Sequence, residues 1–215
     1  MMEWMIYGAN GYTGQLMVEE ALKRGLRPVL AGRSRESIEP LAQKYGLPAR
    51  VFTLDKHDAV LMGLRGMELV LHCAGPFSKT AAPMLKACLE SGAHYLDITG
   101  EIDVFAHCHG LDAEAKQRGI VVLPGAGFDV VPTDCLSAIL KLELPTAQSL
   151  VLAFDAPGGP SPGTAKTAVE GLGKGGCARI NGEMTKVPLA WKTRTFQKNG
   201  EQRLAMTIPW GDVYT

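Results

Sequence analysis

Short apolar runs alternate with amphipathic segments through residues 4–123, and this alternation constrains the fold more than any other feature. Strands are predicted at 4–7, 28–31, 50–54, 68–73, 95–98 and 120–123. Helices are predicted between them at 13–24, 35–45, 57–64, 80–90 and 103–118. Parallel strands need long crossover connections, and helices usually provide them. The order therefore predicts an α/β fold, a doubly wound parallel sheet of about six strands.

The pattern changes after about residue 144. The later part is predicted to form a strand at 148–154, a loop at 157–163, a helix at 164–172 and two strands at 192–197 and 202–208. The last two strands flank Asn199-Gly200, a strong hairpin signal. We therefore expect two domains, 1–145 and 146–215. The second is expected to be the start of an α+β domain, and incomplete, because the chain stops soon after a strand.

Charge and cysteine content exclude several classes of protein. The chain has 22 basic and 22 acidic residues, so its formal net charge is 0. Nucleic-acid binding is not expected, because phosphate contacts need a clustered positive surface. The five cysteines form no C-x-x-C pair, which favours a reducing, cytoplasmic location. The N terminus lacks a signal peptide's basic region, and no apolar stretch approaches the ~20 residues of a transmembrane helix.

Three evenly spaced glycines follow the first predicted strand. Gly8, Gly11 and Gly14 lie where this strand passes into the first helix. In the dinucleotide-binding turn of Rossmann folds, such glycines allow a sharp turn, approach of the pyrophosphate and close helix packing. The helix N terminus attracts the phosphates. The predicted cofactor-binding residues of this turn are Gly8, Asn10, Gly11, Tyr12, Thr13 and Gly14. A tight turn without a ligand is the alternative interpretation.

Arg33 and Ser34 follow the second predicted strand, where an acidic residue would bind the ribose 2′-hydroxyl of NAD. Residues 30–35 contain no Asp or Glu. A guanidinium at this position can pair with a 2′-phosphate instead, and Ser34 can add a hydroxyl donor. The sequence therefore predicts NADP(H) in preference to NAD(H). The alternative is that Arg33 is a solvated residue at a strand end.

The next two strand ends complete the predicted cofactor site. Asp55 follows the third strand and is a candidate for contact with the adenine, although a helix-capping role explains it equally well. After the fourth strand, small residues would admit the nicotinamide ribose and an aromatic residue would flank the ring. This segment comprises Ala74, Gly75, Pro76 and Phe77. The alternative is a loop in which proline ends the strand before the next helix.

Carboxylates at the last strand ends are candidates for proton transfer, which often accompanies hydride transfer by a nicotinamide. Asp97, Glu101 and Asp129 follow the fifth and sixth strands. Glu101 and Asp129 are the predicted catalytic residues, with helix capping as the alternative for each. Asp134 is expected to face a helix dipole from the first turn. The His-Cys-His run at 107–109 is not predicted to bind a metal, because helical side chains about 100° apart cannot all meet one ion.

Several segments recur together in one known family. They are GANGYTG (8–14), AGR (31–33), CAGPF (73–77), HYLDITGE (94–101), GAGFDVVPTD (125–134) and GTAKTAVEG (163–171). Over about residues 1–175 the chain resembles the saccharopine dehydrogenase-like oxidoreductase family, including its bacterial trans-acting enoyl reductase relatives. The resemblance implies a Rossmann domain and NAD(P)-dependent redox activity. It also implies an α+β second domain that supplies much of the substrate pocket and the contact of a homodimer.

The sequence thus predicts an NADP(H)-dependent oxidoreductase that transfers hydride to or from an imine, enoyl or carbonyl carbon of a small-molecule substrate. A second enzymatic interpretation is a synthase that joins an aldehyde and an amine and reduces the imine with NADPH. The alternative outside enzymes is a non-catalytic sensor or partner protein that binds NADP(H).

Overall fold

Six parallel strands form one sheet in the first half of the chain. The computed structural model describes residues 2–128, 130–155 and 162–215. The strands are β1 (Trp4–Tyr7), β2 (Val29–Gly32), β3 (Ala49–Val51), β4 (Leu69–His72), β5 (His94–Asp97) and β6 (Val122–Leu123). They pair in the order β3-β2-β1-β4-β5-β6, and every pair is parallel. This is the strand order of dinucleotide-binding Rossmann folds.

Helices cover both faces of this sheet. They are α1 (Tyr12–Lys23), α2 (Arg35–Tyr45), α3 (His57–Leu64), α4 (Phe77–Ser91), α5 (Ile102–Gly110) and α6 (Asp112–Arg118). Successive residues of β1 enter opposite clusters, because side chains alternate along a strand. Met5 packs with Val60 of α3 and Leu85 of α4, whereas Ile6 packs with Val18 of α1 and Ile38 of α2. The predicted doubly wound α/β fold is confirmed.

Two helices of the first half depart by more than two residues from their predicted form. The helix predicted at 103–118 is divided into α5 and α6, because Gly110 ends α5 and Leu111 precedes α6 with non-helical backbone angles. Glycine is unfavourable inside a helix, so a division at Gly110 is physically reasonable. Helix α4 begins at Phe77, three residues before the predicted start, with Pro76 at its N-cap position.

The described residues from 130 onward form two α-helices and two hairpins. These elements are α7 (Val131–Glu143), α8 (Pro162–Gly171), β7 (Gly176–Ile180), β8 (Glu183–Val187), β9 (Thr193–Lys198) and β10 (Glu201–Met206). Strands β7 and β8 pair antiparallel, as do β9 and β10. The turns are Asn181-Gly182 and Asn199-Gly200, and all four residues have positive φ. Such turns match the twist of paired strands. The predicted hairpin at Asn199-Gly200 is thus present, and the equivalent signal at Asn181-Gly182 was missed.

The chain divides into two compact units. One comprises residues up to 99 together with 103–127, and the other comprises 100–102 and 128–215.

Asp134 lies in the first turn of α7, as expected for a carboxylate that faces a helix dipole. None of the helices in the described ranges combines the length and apolarity that crossing a membrane requires.

The strand predicted at 148–154 is wrong. Residues 147–155 have no regular structure, and Leu150 and Val151 are 55% and 61% exposed. Alternating apolar residues form a strand only where a neighbouring strand accepts their hydrogen bonds. In the described part of the chain, the second unit's strands pair only within their own hairpins. Most of the loop predicted at 157–163 lies outside the described residues.

Candidate cofactor-binding site

The sheet order reverses at β1, which brings three predicted segments to one edge. Strand β1 pairs with β2 on one side and with β4 on the other. In open α/β sheets, ligands bind at such a switch point, beyond the carboxyl ends of the strands. Residues 8–14 follow β1, Arg33 and Ser34 follow β2, and residues 73–77 follow β4. The fold therefore gathers most of the predicted cofactor residues around one crevice.

The three glycines of the β1–α1 turn have different surroundings. Gly8 has a φ of +82°, and a Cβ there would lie 2.8 Å from the backbone nitrogen of Ala74. A Cβ on Gly14 would lie 2.3 Å from the carbonyl oxygen of Gly8. A Cβ on Gly11 would meet only that same oxygen, at 3.3 Å. Packing therefore requires glycine at 8 and 14, whereas glycine at 11 leaves a stretch of backbone open to a ligand.

Within the described residues, no side chain caps the N terminus of α1. Gly11 occupies the N-cap position, and the first turn contains no acidic residue. The first N–H groups of a helix lack intrahelical partners, and with the helix dipole they favour an anion. The Gln15 side-chain amide donates to the carbonyl oxygen of Asn10 (3.0 Å), which ties the helix to the turn. Tyr12 is 65% exposed and Thr13 is half-buried beside this terminus. The arrangement fits a pyrophosphate group.

Arg33 is an exposed residue at the end of β2. In the part of the chain that the structure describes, its guanidinium has neither a hydrogen bond nor an ion pair. The nearby arginines are occupied, since Arg35 pairs with Glu39 and Arg50 donates to the carbonyl oxygen of Gly63 (2.7 Å). A guanidinium without a partner can form a two-pronged contact with a phosphate. Arg33 is therefore well suited to a 2′-phosphate.

The Ser34 hydroxyl contacts side chains of α2, the helix that it precedes. It is the N-cap residue of α2, but its hydroxyl makes no capping bond to the backbone. Instead it donates to the Glu36 carboxylate (2.9 Å) and lies 3.2 Å from the Ser37 hydroxyl. Its predicted contact with a 2′-phosphate stays a prediction.

A cavity of about 550 Å³ lies beside Arg33. Its other walls come from β3, the residues after it and α3: Arg50, Val51, Phe52, Thr53, Ala59, Met62 and Gly63. Ligand pockets of this size, mostly apolar with a few polar groups, accommodate a planar base. Asp55 is not one of the described wall residues. It accepts a hydrogen bond from the Thr53 hydroxyl, and this bond lowers the pKa of the Asp55 carboxyl. Its predicted contact with adenine stays a prediction.

A threonine hydroxyl of α4 holds the segment that follows β4. The Thr80 hydroxyl donates to the carbonyl oxygens of Ala74 (2.7 Å) and Pro76 (3.1 Å). Gly75 is exposed, and the peptide bond between it and Pro76 is cis. Phe77 is only 8% exposed and packs into the core, so the structure gives it a packing role. A position for Phe77 beside the nicotinamide stays a prediction.

His72 is a buried polar residue that sequence reasoning missed. It is 0% exposed, and both ring nitrogens lack a hydrogen-bond partner among the described residues. The rings of Tyr7, Phe77 and Tyr95 surround it at centroid distances of 5.6, 5.4 and 6.1 Å. Burial lowers the pKa of His72 to about 3, so the ring is neutral at physiological pH. The alternation of β4, with Val70 and His72 both buried, was the available signal.

Asp97 is a structural anchor at the end of β5. It is fully buried and accepts hydrogen bonds from the Tyr95 hydroxyl (2.6 Å) and the Thr99 amide (3.0 Å). The Gly125 amide donates to the same carboxylate at 2.8 Å. A buried carboxylate with several donors is well satisfied. Asp97 thus ties β5 to the turn that follows β6.

Residues 4–123 match the family model described as the saccharopine dehydrogenase NADP binding domain. The chain belongs to this family. The resemblance noted from the motifs and the prediction of NADP are both confirmed at this level. A saccharopine dehydrogenase-like oxidoreductase from Homo sapiens is 29% identical over 197 residues, covering 79% of this chain and 46% of that protein. A trans-acting enoyl reductase from Mycobacterium bovis is 31% identical over 138 residues, covering 60% and 33%.

The fold of this saccharopine dehydrogenase family member has a solved counterpart. The apo saccharopine dehydrogenase (L-Glu forming) from Saccharomyces cerevisiae superposes with a TM-score of 0.67 at 16% identity. The superposition covers 97% of this chain and 50% of the yeast chain. The chain spans about half the length of the curated relatives it matches.

The two predicted catalytic carboxylates lie apart in the chain from the segments that form the crevice. Glu101 is half-buried, immediately before α5, and belongs to the second compact unit. Asp129 lies outside the described residues. Their catalytic roles therefore stay predictions.

The cysteine and histidines at 107–109 lie on α5, where Cys108 is buried and both histidines are exposed. Cys73 packs against the core on the sheet face that α1 and α2 cover. Burial and the Asp97 carboxylate raise the pKa of the Cys73 thiol to about 12. This thiol is therefore protonated and unsuited to be a nucleophile.

Proposed function

We propose that this member of the saccharopine dehydrogenase family is an NADP(H)-dependent oxidoreductase that transfers hydride to or from an imine, enoyl or carbonyl carbon. The observation that carries the proposal is the pairing of two groups that attract anions on one edge of the sheet. The N terminus of α1 has no side-chain cap, and the Arg33 guanidinium has no partner among the described residues. NADP(H) has a pyrophosphate, which suits the helix N terminus, and a 2′-phosphate, which suits the guanidinium.

Different residues of the site fit different parts of the cofactor. The backbone at Gly11 and the N terminus of α1 would hold the pyrophosphate. Arg33 would bind the 2′-phosphate, and the neighbouring cavity would take the adenine. Ala74 and Gly75 would leave room for the nicotinamide ribose. Bound NADPH supplies the hydride, and the protein supplies position and a site shielded from water.

The proton that accompanies hydride transfer to a carbonyl or imine needs a donor. Glu101 and Asp129 are proposed for this task, because their sequence positions follow the fifth and sixth strands. The name of the enoyl reductase relative supports an enoyl substrate as one member of the test panel.

Titration of the purified chain with NADPH and NADH tests the cofactor part of the proposal. We expect NADPH to bind more tightly, and Arg33→Ala to weaken NADPH by about 1–3 kcal/mol without affecting NADH. Arg24→Ala is the matched control, because Arg24 pairs with Glu20 at the opposite end of α1. Equal NADPH affinity in Arg33→Ala and the native protein would contradict the assignment.

Turnover distinguishes an enzyme from a sensor. An oxidoreductase oxidises NADPH with at least one member of a panel of carbonyl, imine and enoyl compounds. A panel that pairs aldehydes with amines tests the synthase interpretation. A sensor binds NADPH stoichiometrically and oxidises it with no member of either panel.

A homodimer and a cytoplasmic location are further proposals, supported by family resemblance and by the cysteine pattern respectively. Sedimentation of the purified protein measures the first. Fractionation of the source cells measures the second.

A further inference from the structure

The residues around Arg33 include a carboxylate that opposes a 2′-phosphate. Glu36 lies in the first turn of α2, and its carboxylate accepts a hydrogen bond from the Ser34 hydroxyl (2.9 Å). Ser34 is the residue directly after Arg33. A group that approaches Arg33 and Ser34 together therefore also approaches Glu36.

The contact removes Ser34 as a donor. A serine hydroxyl has one proton, and here that proton is directed at Glu36. The remaining lone pairs of the Ser34 oxygen repel a phosphate oxygen. The Ser37 hydroxyl lies 3.2 Å from this oxygen.

The charge on Glu36 persists. Its own backbone amide and the Ser34 hydroxyl lower the pKa of the Glu36 carboxyl, so it stays ionised wherever the protein is normally studied. Arg35, the preceding residue, contributes least to this lowering of the pKa, and its guanidinium is paired with Glu39 one turn further along α2. The ionised Glu36 carboxylate can therefore oppose a second anion.

We propose that Glu36 is a specificity-determining residue that weakens NADP(H) binding relative to NAD(H). It does so by repelling the 2′-phosphate and by occupying the hydroxyl of Ser34. NAD(H) has a neutral 2′-hydroxyl and does not experience the repulsion. The inference rests on the proposed function, since it applies to the same cofactor site.

The effect is moderate because the group is exposed. Two charges a few ångströms apart at a protein surface interact weakly, and salt screens them further. We expect Glu36→Gln to tighten NADP⁺ by about threefold to tenfold at low ionic strength, with NAD⁺ changed by less than about twofold. The gain shrinks as salt is added.

A second set of variants measures what the Ser34 hydroxyl contributes to NADP⁺ affinity. Glutamine retains an oxygen that accepts the Ser34 proton, whereas alanine does not. Ser34→Ala is therefore expected to leave NADP⁺ affinity unchanged in the native background and in Glu36→Gln. In the Glu36→Ala background, the same substitution should weaken NADP⁺ severalfold, because the freed hydroxyl then donates to the phosphate. This non-additivity is the signature of a shared hydrogen bond.

Calorimetric titration of the full chain with NADP⁺, NAD⁺, adenosine 2′,5′-bisphosphate and 5′-AMP makes the test. Glu114→Gln is the control, because Glu114 is an exposed, arginine-paired residue on α6. A rise in the NADP⁺-to-NAD⁺ affinity ratio in Glu36→Gln supports the inference, and an unchanged or lower ratio overturns it. Absence of NADP⁺ binding to the native protein overturns the proposed function as well. Binding with an unchanged ratio overturns only the role of Glu36.

Discussion

Gly11 and Gly14 lie in the same turn, but their surroundings differ, so we propose that Gly11 serves cofactor binding and Gly14 serves folding. A Cβ at 14 would meet the Gly8 carbonyl oxygen at 2.3 Å, so Gly14→Ala forces the backbone to shift. We expect a loss of about 3 kcal/mol in the free energy of unfolding. Gly11→Ala is expected to change stability by no more than about 1 kcal/mol, yet to weaken NADPH. Urea unfolding and NADPH titration of both variants measure the difference, and equal stability losses would contradict it.

His72 is expected to make stability depend on pH. Its pKa is about 3 in the folded protein and ordinarily 6.5, so between these values the unfolded chain binds more protons. Stability therefore falls as pH decreases below 6.5, by up to about 1.4 kcal/mol per pH unit from this group. His72→Leu should remove this slope and should not reduce stability at pH 7, because neither ring nitrogen has a partner among the described residues. Urea unfolding at pH 7 and pH 5 measures both effects.

The exposed His107 provides the control for that experiment. His107→Leu should retain the full pH dependence. An identical slope in His72→Leu and the native protein would show that the imidazole has a partner in solution.

At the level of elements, the end of β5 depends on a single carboxylate. Asp97 accepts hydrogen bonds from a hydroxyl of the same strand, a loop amide and the distant Gly125 amide. Asp97→Asn replaces an acceptor oxygen by a donor, so we expect a loss of about 3 kcal/mol in the free energy of unfolding. Tyr95→Phe removes one hydrogen bond only and should cost about 1 kcal/mol. A loss in Asp97→Asn no larger than in Tyr95→Phe, measured in urea, would contradict the anchoring role.

The elements that were predictable from sequence are those whose signals are local. The glycines Gly46 and Gly92 end α2 and α4 in the left-handed conformation, as expected of helix C-terminal positions. The Asn199-Gly200 turn was found for the same reason. The strand predicted at 148–154 is wrong because a strand also needs a neighbouring strand to pair with, and no local pattern contains that information.

The same distinction applies to the site. The roles of Gly8 and Gly14 follow from backbone geometry at known spacing, and that spacing was visible in the sequence. The partners of side chains were not visible. Ser34 turning to Glu36, His72 among three aromatic rings and Asp97 reaching Gly125 all result from packing in three dimensions.

For the whole molecule, the two compact units each carry their own tryptophan signal. Trp4 is in β1 of the first unit, and Trp191 and Trp210 are in the second. In the double variant Trp191→Phe/Trp210→Phe, the fluorescence of Trp4 therefore reports unfolding of the sheet that contains the cofactor site. A ligand that binds only the folded state at one hundred times its Kd stabilises that state by about 2.7 kcal/mol.

We accordingly expect NADPH at that excess to raise the unfolding free energy reported by Trp4 by about 2.7 kcal/mol. The same NADPH concentration should give a clearly smaller rise when Arg33→Ala is added, because a loss of about 1–3 kcal/mol raises the Kd by about fivefold or more. Urea titrations followed by Trp4 fluorescence make the measurement, with NADH in parallel to isolate the contribution of the 2′-phosphate. If NADPH left the Trp4 transition unmoved, the crevice at the β1–β4 switch point would not be the cofactor site. If NADPH raised the unfolding free energy equally in the native protein and in Arg33→Ala, another residue on the same edge of the sheet would recognise the 2′-phosphate.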